Sequence, residues 1–316
     1  MVDLSSISNL KTEFPDTFTY TRLLFRLKLL DESVLPVFKA SMLRGLMGKA
    51  LHRLNCQSRG SCQKCKVVSN CPYSILFKPE LVFKNQLTTP PFVLFSPNKK
   101  EKFAKGDDVE FTLTIFGEYS RYFDYFLNAF NYAGGFGLGH KRTPYEIESI
   151  TDDISAEWVY KDRQVNKEWR VAYARLSDFN REKPNNSRHV RVHFLAPVFI
   201  KVDKSQVYFP EMKEIIRAVI RRIHILSRSI WKDKDFKIDK SFLEDFCYSI
   251  DRYDLGFDKS FKTGGLGHRV ELSGFYGEVD YGGDFSTLYP LLRAGEVVHI
   301  GARMSYGLGK YELVVL

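Results

Sequence analysis

Four cysteines lie within a span of sixteen residues in the first quarter of the chain: Cys56, Cys62, Cys65 and Cys71. The spacing is C-x5-C-x2-C-x5-C, and the fifth cysteine, Cys247, is far away in the sequence. Four thiolates can fully surround a Zn²⁺ ion, which leaves no open position for a reacting water. An iron–sulfur cluster also takes four thiolates. The spacing therefore predicts a closed, structural metal site in a loop at residues 55–72, holding zinc or an iron–sulfur cluster.

Two glycine-rich segments share one order of residue types. The segment at 134–150 contains FGLGHKR followed by YEI, and the segment at the end of the chain contains YGLGKYEL. Their flanking basic residues are His140, Lys141, Arg142, Arg303 and Lys310. Glycine lets the backbone approach a ligand closely, and backbone N–H groups in such a loop can face an anion. The loops are either anion-binding loops or plain hairpins, and their repetition indicates a duplicated domain.

Composition narrows the class of protein. A chain of 316 residues suggests about two domains, and a hydrophobic fraction of 44% is enough for their cores. Lys and Arg outnumber Asp and Glu by 47 to 38, a net charge of +9 that favours an anionic partner such as nucleic acid. No apolar run approaches the roughly 18 residues that span a bilayer. Residues 1–20 lack the apolar core of a signal peptide, so we expect a cytoplasmic protein with reduced thiols.

The elements that must position these residues follow from hydrophobic periodicity. In the first half, alternation predicts strands at 20–30, 91–95, 109–116 and 145–150. Apolar residues at steps of three and four predict one helix at 36–54, opened by Pro36, and another at 119–132. The resulting order, strand–helix–strand–strand–helix–strand, is typical of ferredoxin-like domains, which include RNA-recognition modules.

The second half repeats this order with longer insertions. After a linker or edge hairpin at 151–189, we predict a strand at 190–201 and a helix at 211–231, with a further helix assigned within the poorly patterned stretch 236–254. We then predict a strand at 270–281 and a short helix at 284–294, which is capped by Asp284 and ended by Gly295. An apolar strand around His299, the terminal loop and the terminal strand follow.

The predicted fold is therefore α+β, with two tandem ferredoxin-like (RRM-like) domains that each carry a glycine-rich loop after the second helix. The predicted domains are 1–150, which includes the cysteine loop, and 190–316, joined by 151–189.

Several segments resemble one known family: LRGLMGKAL in the first predicted helix, CPYSILFKPE after the cysteines, HFLAPVFI, and GFYGEVDYGGDFSTLYPLLRAGEVVHIGARMSYGLGKYEL at the end. They are similar to the CRISPR repeat-processing endoribonucleases of the repeat-associated mysterious protein (RAMP) superfamily, in a cysteine-rich branch. The resemblance covers nearly the whole chain and is strongest over 264–316. It implies two tandem ferredoxin-like domains and binding of the CRISPR repeat in precursor crRNA, with other Cas proteins as further partners.

The resemblance also implies the reaction. The ribose 2′-hydroxyl attacks the adjacent phosphate without a metal cofactor, leaving a 2′,3′-cyclic phosphate and a 5′-hydroxyl. A non-catalytic RAMP subunit that holds guide RNA in an effector complex is the alternative.

In well-studied members of this family a histidine just after the first helix of the first domain acts as general acid or base, and here His52 lies at the end of that helix. The resemblance assigns that role to His52, with Lys49 one turn earlier as a catalytic partner. The alternative is a solvated histidine that interacts with the helix dipole. The resemblance implies RNA contacts from Arg44, His140, Lys141, Arg142, Arg221, Arg303 and Lys310. We interpret His299 as a core histidine and His268 as a further possible contact.

Overall fold

The computed structural model describes residues 13–56, 61–84, 86–182, 184, 187–240, 242–259, 261–263 and 269–316. The chain forms two ferredoxin-like domains in tandem, so the predicted α+β fold class is confirmed. The elements of the first domain are β1 Thr19–Leu29, β2 Ser33–Val34, α1 Ala40–Asn55, α2 Pro72–Phe77, β3 Phe92–Phe95, β4 Lys102–Phe103, β5 Asp108–Phe116, α3 Phe123–Ala133, β6 Tyr145–Asp152, β7 Trp158–Lys161, β8 Gln164–Val165 and β9 Ala174–Arg175.

The first sheet has the order β3-β5-β1-β6, extended by β7 and β8, with β9 paired to β1. The central strand β1 alternates basic and apolar residues, so one face is buried under the helices and the other faces solvent. Phe25 on its buried face is paired with Phe111 of β5, and the two rings stack at 4.9 Å. The hairpin of β7 and β8 lies within residues 151–189 and continues this sheet at its edge.

The second domain repeats the topology. Its elements are β10 His189–Val198, β11 Lys201–Val202, β12 Ser205–Gln206, α4 Met212–Ser229, α5 Phe242–Asp245, β13 Tyr248–Asp258, β14 Phe261–Thr263, β15 Arg269–Glu271, β16 Gly274–Gly283, α6 Tyr289–Val298 and β17 Tyr311–Val315. The sheet order β13-β16-β10-β17 corresponds strand for strand to β3-β5-β1-β6. In both sheets the first and third strands of the repeat lie at the centre, as a duplication predicts.

Two element boundaries in the first domain differ from the sequence prediction. The first helix begins at Ala40, not at residue 36, because the preceding chain is still extended: β2 pairs with β4 and the Leu35 N–H donates to the Glu101 carbonyl at 2.8 Å. The helix predicted at 119–132 begins with a 3₁₀ segment over Gly117–Tyr122, and its α-helical part starts at Phe123.

Three predictions in the second domain were wrong. The stretch 236–254 holds only the four-residue α5, and its last part is the edge strand β13, whose mostly exposed side chains leave no helical or alternating pattern to read. The predicted helix 284–294 lies further along the chain as α6, so neither Asp284 nor Gly295 bounds it. Gly295 lies inside α6, where a Cβ would collide with the Tyr311 hydroxyl. The apolar run before the loop is therefore the end of a helix rather than a strand.

The two domains share one continuous hydrophobic core. At their junction, Phe18 stacks on Trp231 at 4.4 Å, and the Trp231 indole N–H donates to the Thr19 carbonyl at 2.9 Å. The buried guanidinium of Arg222 donates to Thr89 Oγ1 of the first domain at 2.8 Å. These contacts join α4 and the segment that follows it to the first domain. Within the described ranges, none of the helices is long and apolar enough to cross a membrane.

Candidate functional site

Helix α1 lies between the two glycine loops, which we define as residues 134–143 for the first and 299–310 for the second. The second loop packs on the start of α1, where Gly307 contacts Ala40. The first loop contacts the end of α1, where Lys49 Nζ and Arg53 Cζ lie 4.9 and 4.7 Å from the ring centroid of Phe136. The two related loops thus meet at one helix, although they are more than 150 residues apart in the sequence.

His52 lies half-buried in the last turn of α1. Its imidazole packs edge-to-face against the ring of Tyr73, with centroids 4.9 Å apart and planes at 73°. Lys49 is exposed one turn earlier, and residues three apart share a helix face. Burial raises the pKa of Tyr73 to about 12, so its phenol is neutral near pH 7. The end of α1 therefore presents an imidazole held by an aromatic ring, with cations beside it.

Arg44 is buried between two aromatic rings, with Cζ 4.0 Å from the centroid of Phe77 and 3.9 Å from that of Tyr306. Burial lowers the pKa of its guanidinium. The Nε atom of Arg44 has no hydrogen-bond partner in the described part of the chain. Through these two stacking contacts, Arg44 of α1 connects α2 and the second glycine loop. The guanidinium is therefore a packing contact between three elements and is buried from solvent.

The predicted contacts of the first glycine loop, His140, Lys141 and Arg142, are all exposed at the tip of the loop. Lys141 Nζ lies 2.8 Å from Glu32, but both side chains are more than half exposed, so the pair constrains the lysine little. Below the tip, the buried Thr143 hydroxyl bonds to Ser33 Oγ at 2.9 Å. The loop is thus anchored at its base and presents its cations outward.

The second glycine loop is arranged differently. Lys310 Nζ donates to the Glu296 carbonyl at 2.9 Å, and burial lowers the pKa of this lysine. Arg303 is partly buried, with Cζ 5.0 Å from the Phe199 ring centroid, and its buried Nη1 has no hydrogen-bond partner among the described residues. His299 is buried beside the Leu308 carbonyl, and burial lowers its pKa well below the usual value. His268 lies outside the described residues.

The cysteine loop brings its four thiols into one region. Cys56 ends α1, Cys62 and Cys65 flank a 3₁₀ turn, and Cys71 precedes α2. Burial raises the pKa of the Cys62 thiol, and the nearby cation of Lys78 opposes this shift. The other three cysteines raise the pKa further, so the four thiols are close enough to interact electrostatically. Among the described residues, no group of three or more His, Cys, Asp or Glu is positioned to hold a metal ion. The donor set suits Zn²⁺ chemically, and the metal remains a prediction.

Sequence reasoning missed two aromatic residues of the site: Tyr73, which packs against His52, and Phe77, which stacks on Arg44. Their only sequence signal is a high aromatic content, which core packing explains equally well. Arg221, the remaining predicted contact, is exposed on α4, away from these rings, in the wall of a cavity of about 660 Å³ that also reaches Gly301 of the second loop.

Comparison with known proteins relates both halves of the chain to described families. Residues 192–311 match the family described as CRISPR-associated endoribonuclease Cas6, and residues 18–170 match a family described as an N-terminal domain (AF_1859_N). An uncharacterized protein of Archaeoglobus fulgidus is 26% identical over 290 residues, which cover 88% of this chain and 92% of that protein.

Two solved structures show the same fold at low sequence identity. A Cas6 product complex is 16% identical with a TM-score of 0.57, covering 94% of this chain and 99% of that chain. A chain of a partial Cas6-RT-Cas1–Cas2 complex is 13% identical with a TM-score of 0.59, covering 96% of this chain and 47% of that longer chain. Residues 192–311 therefore match the Cas6 endoribonuclease family in sequence, and the whole chain has the fold of these Cas6 structures, in agreement with the resemblance.

Proposed function

We propose that this chain binds the repeat of a CRISPR precursor RNA and cleaves it as an endoribonuclease. The observation that carries the proposal is the match of residues 192–311 to the Cas6 endoribonuclease family. The convergence of both glycine loops on α1 supports it, because the loop from the matched domain reaches the helix that carries His52.

The proposed chemistry is an internal transesterification. A base takes the proton of the ribose 2′-hydroxyl, the oxygen attacks the adjacent phosphorus, and an acid protonates the departing 5′-oxygen. The P–O5′ bond breaks as the P–O2′ bond forms, which leaves a 2′,3′-cyclic phosphate and a 5′-hydroxyl. Because the nucleophile is part of the substrate, proximity supplies much of the acceleration, and side chains can supply the proton transfers.

In this proposal His52 transfers a proton, and Lys49 stabilises the charge that develops on the phosphorane oxygens. The ring of Tyr73 limits the orientations of the imidazole. Arg53 extends with Lys49 over Phe136 and adds a second positive charge at the same edge. A positioned acid or base typically contributes about 10²–10⁴ in rate, which sets the loss expected when His52 is removed.

The exposed cations are the proposed RNA contacts: His140, Lys141 and Arg142 on the first loop and Arg221 on α4. Arg303 has a donor on Nη1 that could serve a phosphate. Arg44 and Lys310 would act indirectly, since stacking and a buried hydrogen bond hold them in place and shape the second loop. The solved complex that joins Cas6 with Cas1 and Cas2 supports other Cas proteins as partners.

We also propose that the four cysteines of the 55–72 loop bind one structural zinc ion, or an iron–sulfur cluster in its place. A bound metal would tie the end of α1 to the start of α2, because Cys56 and Cys71 occupy those two ends. His52 and Tyr73 lie beside these cysteines in sequence, so the ion would stiffen the support of the imidazole without touching the substrate.

The test is cleavage of a cognate repeat RNA and of the same RNA with a single 2′-deoxy substitution at the scissile ribose. We expect the first to be cut and the second to bind with similar affinity but remain intact. Cutting of both RNAs would refute attack by the 2′-hydroxyl. Binding of both without cutting would favour the alternative, a non-catalytic RAMP subunit that holds RNA.

A further inference from the structure

Helix α4 carries a row of cationic and imidazole side chains along its outer face. Arg217, Arg221, His224 and Arg228 follow one another at steps of four, three and four residues, which places them on one stripe of the helix. The opposite face is buried and aliphatic, from Ile215 to Leu226. Like charges four residues apart destabilise an isolated helix by roughly 0.2–0.5 kcal/mol per pair. The stripe therefore does not stabilise the helix by itself.

The stripe lines two neighbouring cavities. A cavity of about 660 Å³ lies between α4, the β10–β11 connection and the second glycine loop, and a second of about 500 Å³ lies between α4 and residues 236–240. Arg217 and Arg221 line both cavities, so the two cavities adjoin along this helix. We call the two adjoining cavities the α4 groove. Its cationic and imidazole lining consists of Lys201, Arg217, Arg221, Arg222, His224, Lys237 and Lys240.

The charge of the α4 groove is unbalanced. Its acidic lining residues in the described chain are Asp203 and Glu214, and a Glu214 carboxylate oxygen already accepts the Glu211 N–H at the start of α4. Arg217 pairs with Glu244 at 3.3 Å, but both side chains are largely exposed, so the pair is weak. The pKa of His224 is lowered by burial and then by its cationic neighbours Arg228, Lys240 and Lys237. These groups are thus close enough to repel one another when no anion is present.

The floor of the groove holds a buried donor without an acceptor. Arg222 is fully buried; its Nε donates to the Val298 carbonyl at 3.0 Å and its Nη1 to Thr89. Its Nη2 has no hydrogen-bond partner in the described chain, although the residue lines the 660 Å³ cavity. An unsatisfied buried charged donor is costly, and an anion in the cavity would remove that cost.

From these observations we propose that the α4 groove binds the phosphodiester backbone of the RNA, as an interaction surface separate from the His52 end of α1. The proposal rests on the proposed function, because it names a path for the same RNA. The groove is lined by none of the residues of α1 or the first glycine loop, and it begins at Gly301 on the side of the second loop that faces α4. The substrate would thus extend from the second glycine loop along α4 towards Lys240.

The experiment measures how the affinity for an uncleavable repeat RNA, with a 2′-deoxy scissile ribose, depends on salt. The groove variant carries Arg217→Ala, Lys237→Ala and Lys240→Ala, all at exposed side chains whose removal leaves the core intact. The charge-matched control carries Lys105→Ala, Lys161→Ala and Lys167→Ala, which are exposed in the first domain and outside the groove. Each variant removes three positive charges, so a general electrostatic effect is the same in both.

We expect the groove variant to bind more weakly and to lower the slope of log K against log salt by about two, since each lost phosphate contact on a single strand removes roughly 0.7. The control should keep the wild-type slope. With cleavable RNA at saturation, the groove variant should cut at the wild-type rate, which a defect at His52 would not allow. If the groove variant keeps the wild-type affinity, salt slope and cleavage, the proposal that the α4 groove binds RNA is overturned. An acidic protein surface would then be the partner of the groove. A wild-type protein that neither binds nor cuts RNA would overturn the proposed function and the groove together.

Discussion

Replacing Gly307 with alanine should displace the second glycine loop from the first helix. Gly307 has a φ of 84°, a backbone conformation that costs an L-residue roughly 1–2 kcal/mol. An added Cβ would overlap the Cβ of Ala40 on α1 and lie 2.9 Å from the Leu94 carbonyl oxygen. Neither neighbour is the end of a flexible side chain, so the loop itself must move. Overpacking of this kind typically costs a further 1–3 kcal/mol. The expected loss in the free energy of unfolding is therefore about 2–5 kcal/mol.

Gly106 provides the matched control, because it has nearly the same φ, 87°, and nothing within 4 Å of an added Cβ. Gly106→Ala should therefore show the backbone cost alone, about 1–2 kcal/mol. The assay is urea unfolding of wild type, Gly106→Ala and Gly307→Ala, followed by fluorescence and circular dichroism. Equal losses for the two variants would refute the contact between the second loop and α1, because only Gly307 has neighbours with which to collide.

Three further predictions test the surroundings of the site. Arg44→Lys keeps the charge but loses the planar stack between Phe77 and Tyr306, so it should destabilise the protein by roughly 1–3 kcal/mol in urea unfolding; wild-type stability would contradict the stacking. Burial lowers the pKa of Lys39 to about 8 in the folded protein, against about 10.5 in the unfolded chain. Between these two pH values the unfolded chain holds the proton and the folded protein does not. The free energy of unfolding should therefore rise with pH in this range by up to about 1.4 kcal/mol per pH unit. The Lys39→Met variant should lack that rise. If the difference in free energy of unfolding between wild type and variant stays constant between pH 7.5 and 9.5, the prediction is refuted. Elemental analysis should find about one zinc per chain, and the double variant Cys62→Ser/Cys65→Ser should lose it. Iron together with visible absorbance would indicate an iron–sulfur cluster instead. A protein that contains neither zinc nor iron would refute the cysteine site.

The duplicated fold could be predicted because its two halves repeat both an element order and a loop motif. Where the prediction failed, the residues were compatible with two structures. Val297 and Val298 form a short apolar run, which is equally consistent with a strand and with the buried end of a helix. In the structure they end α6, where Gly295 packs closely against Tyr311. The edge strand β13 is mostly exposed, so its sequence carries no buried face to recognise.

The candidate site was predictable as a set of residue types but not as an arrangement. Lys310 and Lys141 both follow a Gly-Leu-Gly motif, yet one donates to a buried carbonyl and the other projects into solvent. Arg44 and Arg221 have the same side chain on similar helices, and long-range contacts alone bury the first between two rings. Periodicity shows which face of a helix is buried, but it does not show which distant loop covers the remaining face.

The most direct test of the central claim is cleavage of an end-labelled cognate repeat RNA in excess EDTA, comparing wild type with His52→Ala. We predict that the wild type cuts the RNA and that His52→Ala cuts it about 10²–10⁴-fold more slowly while binding it with unchanged affinity. Equal cutting by both proteins would contradict the role of His52, and failure of the wild type to cut a bound repeat would contradict the proposed ribonuclease itself.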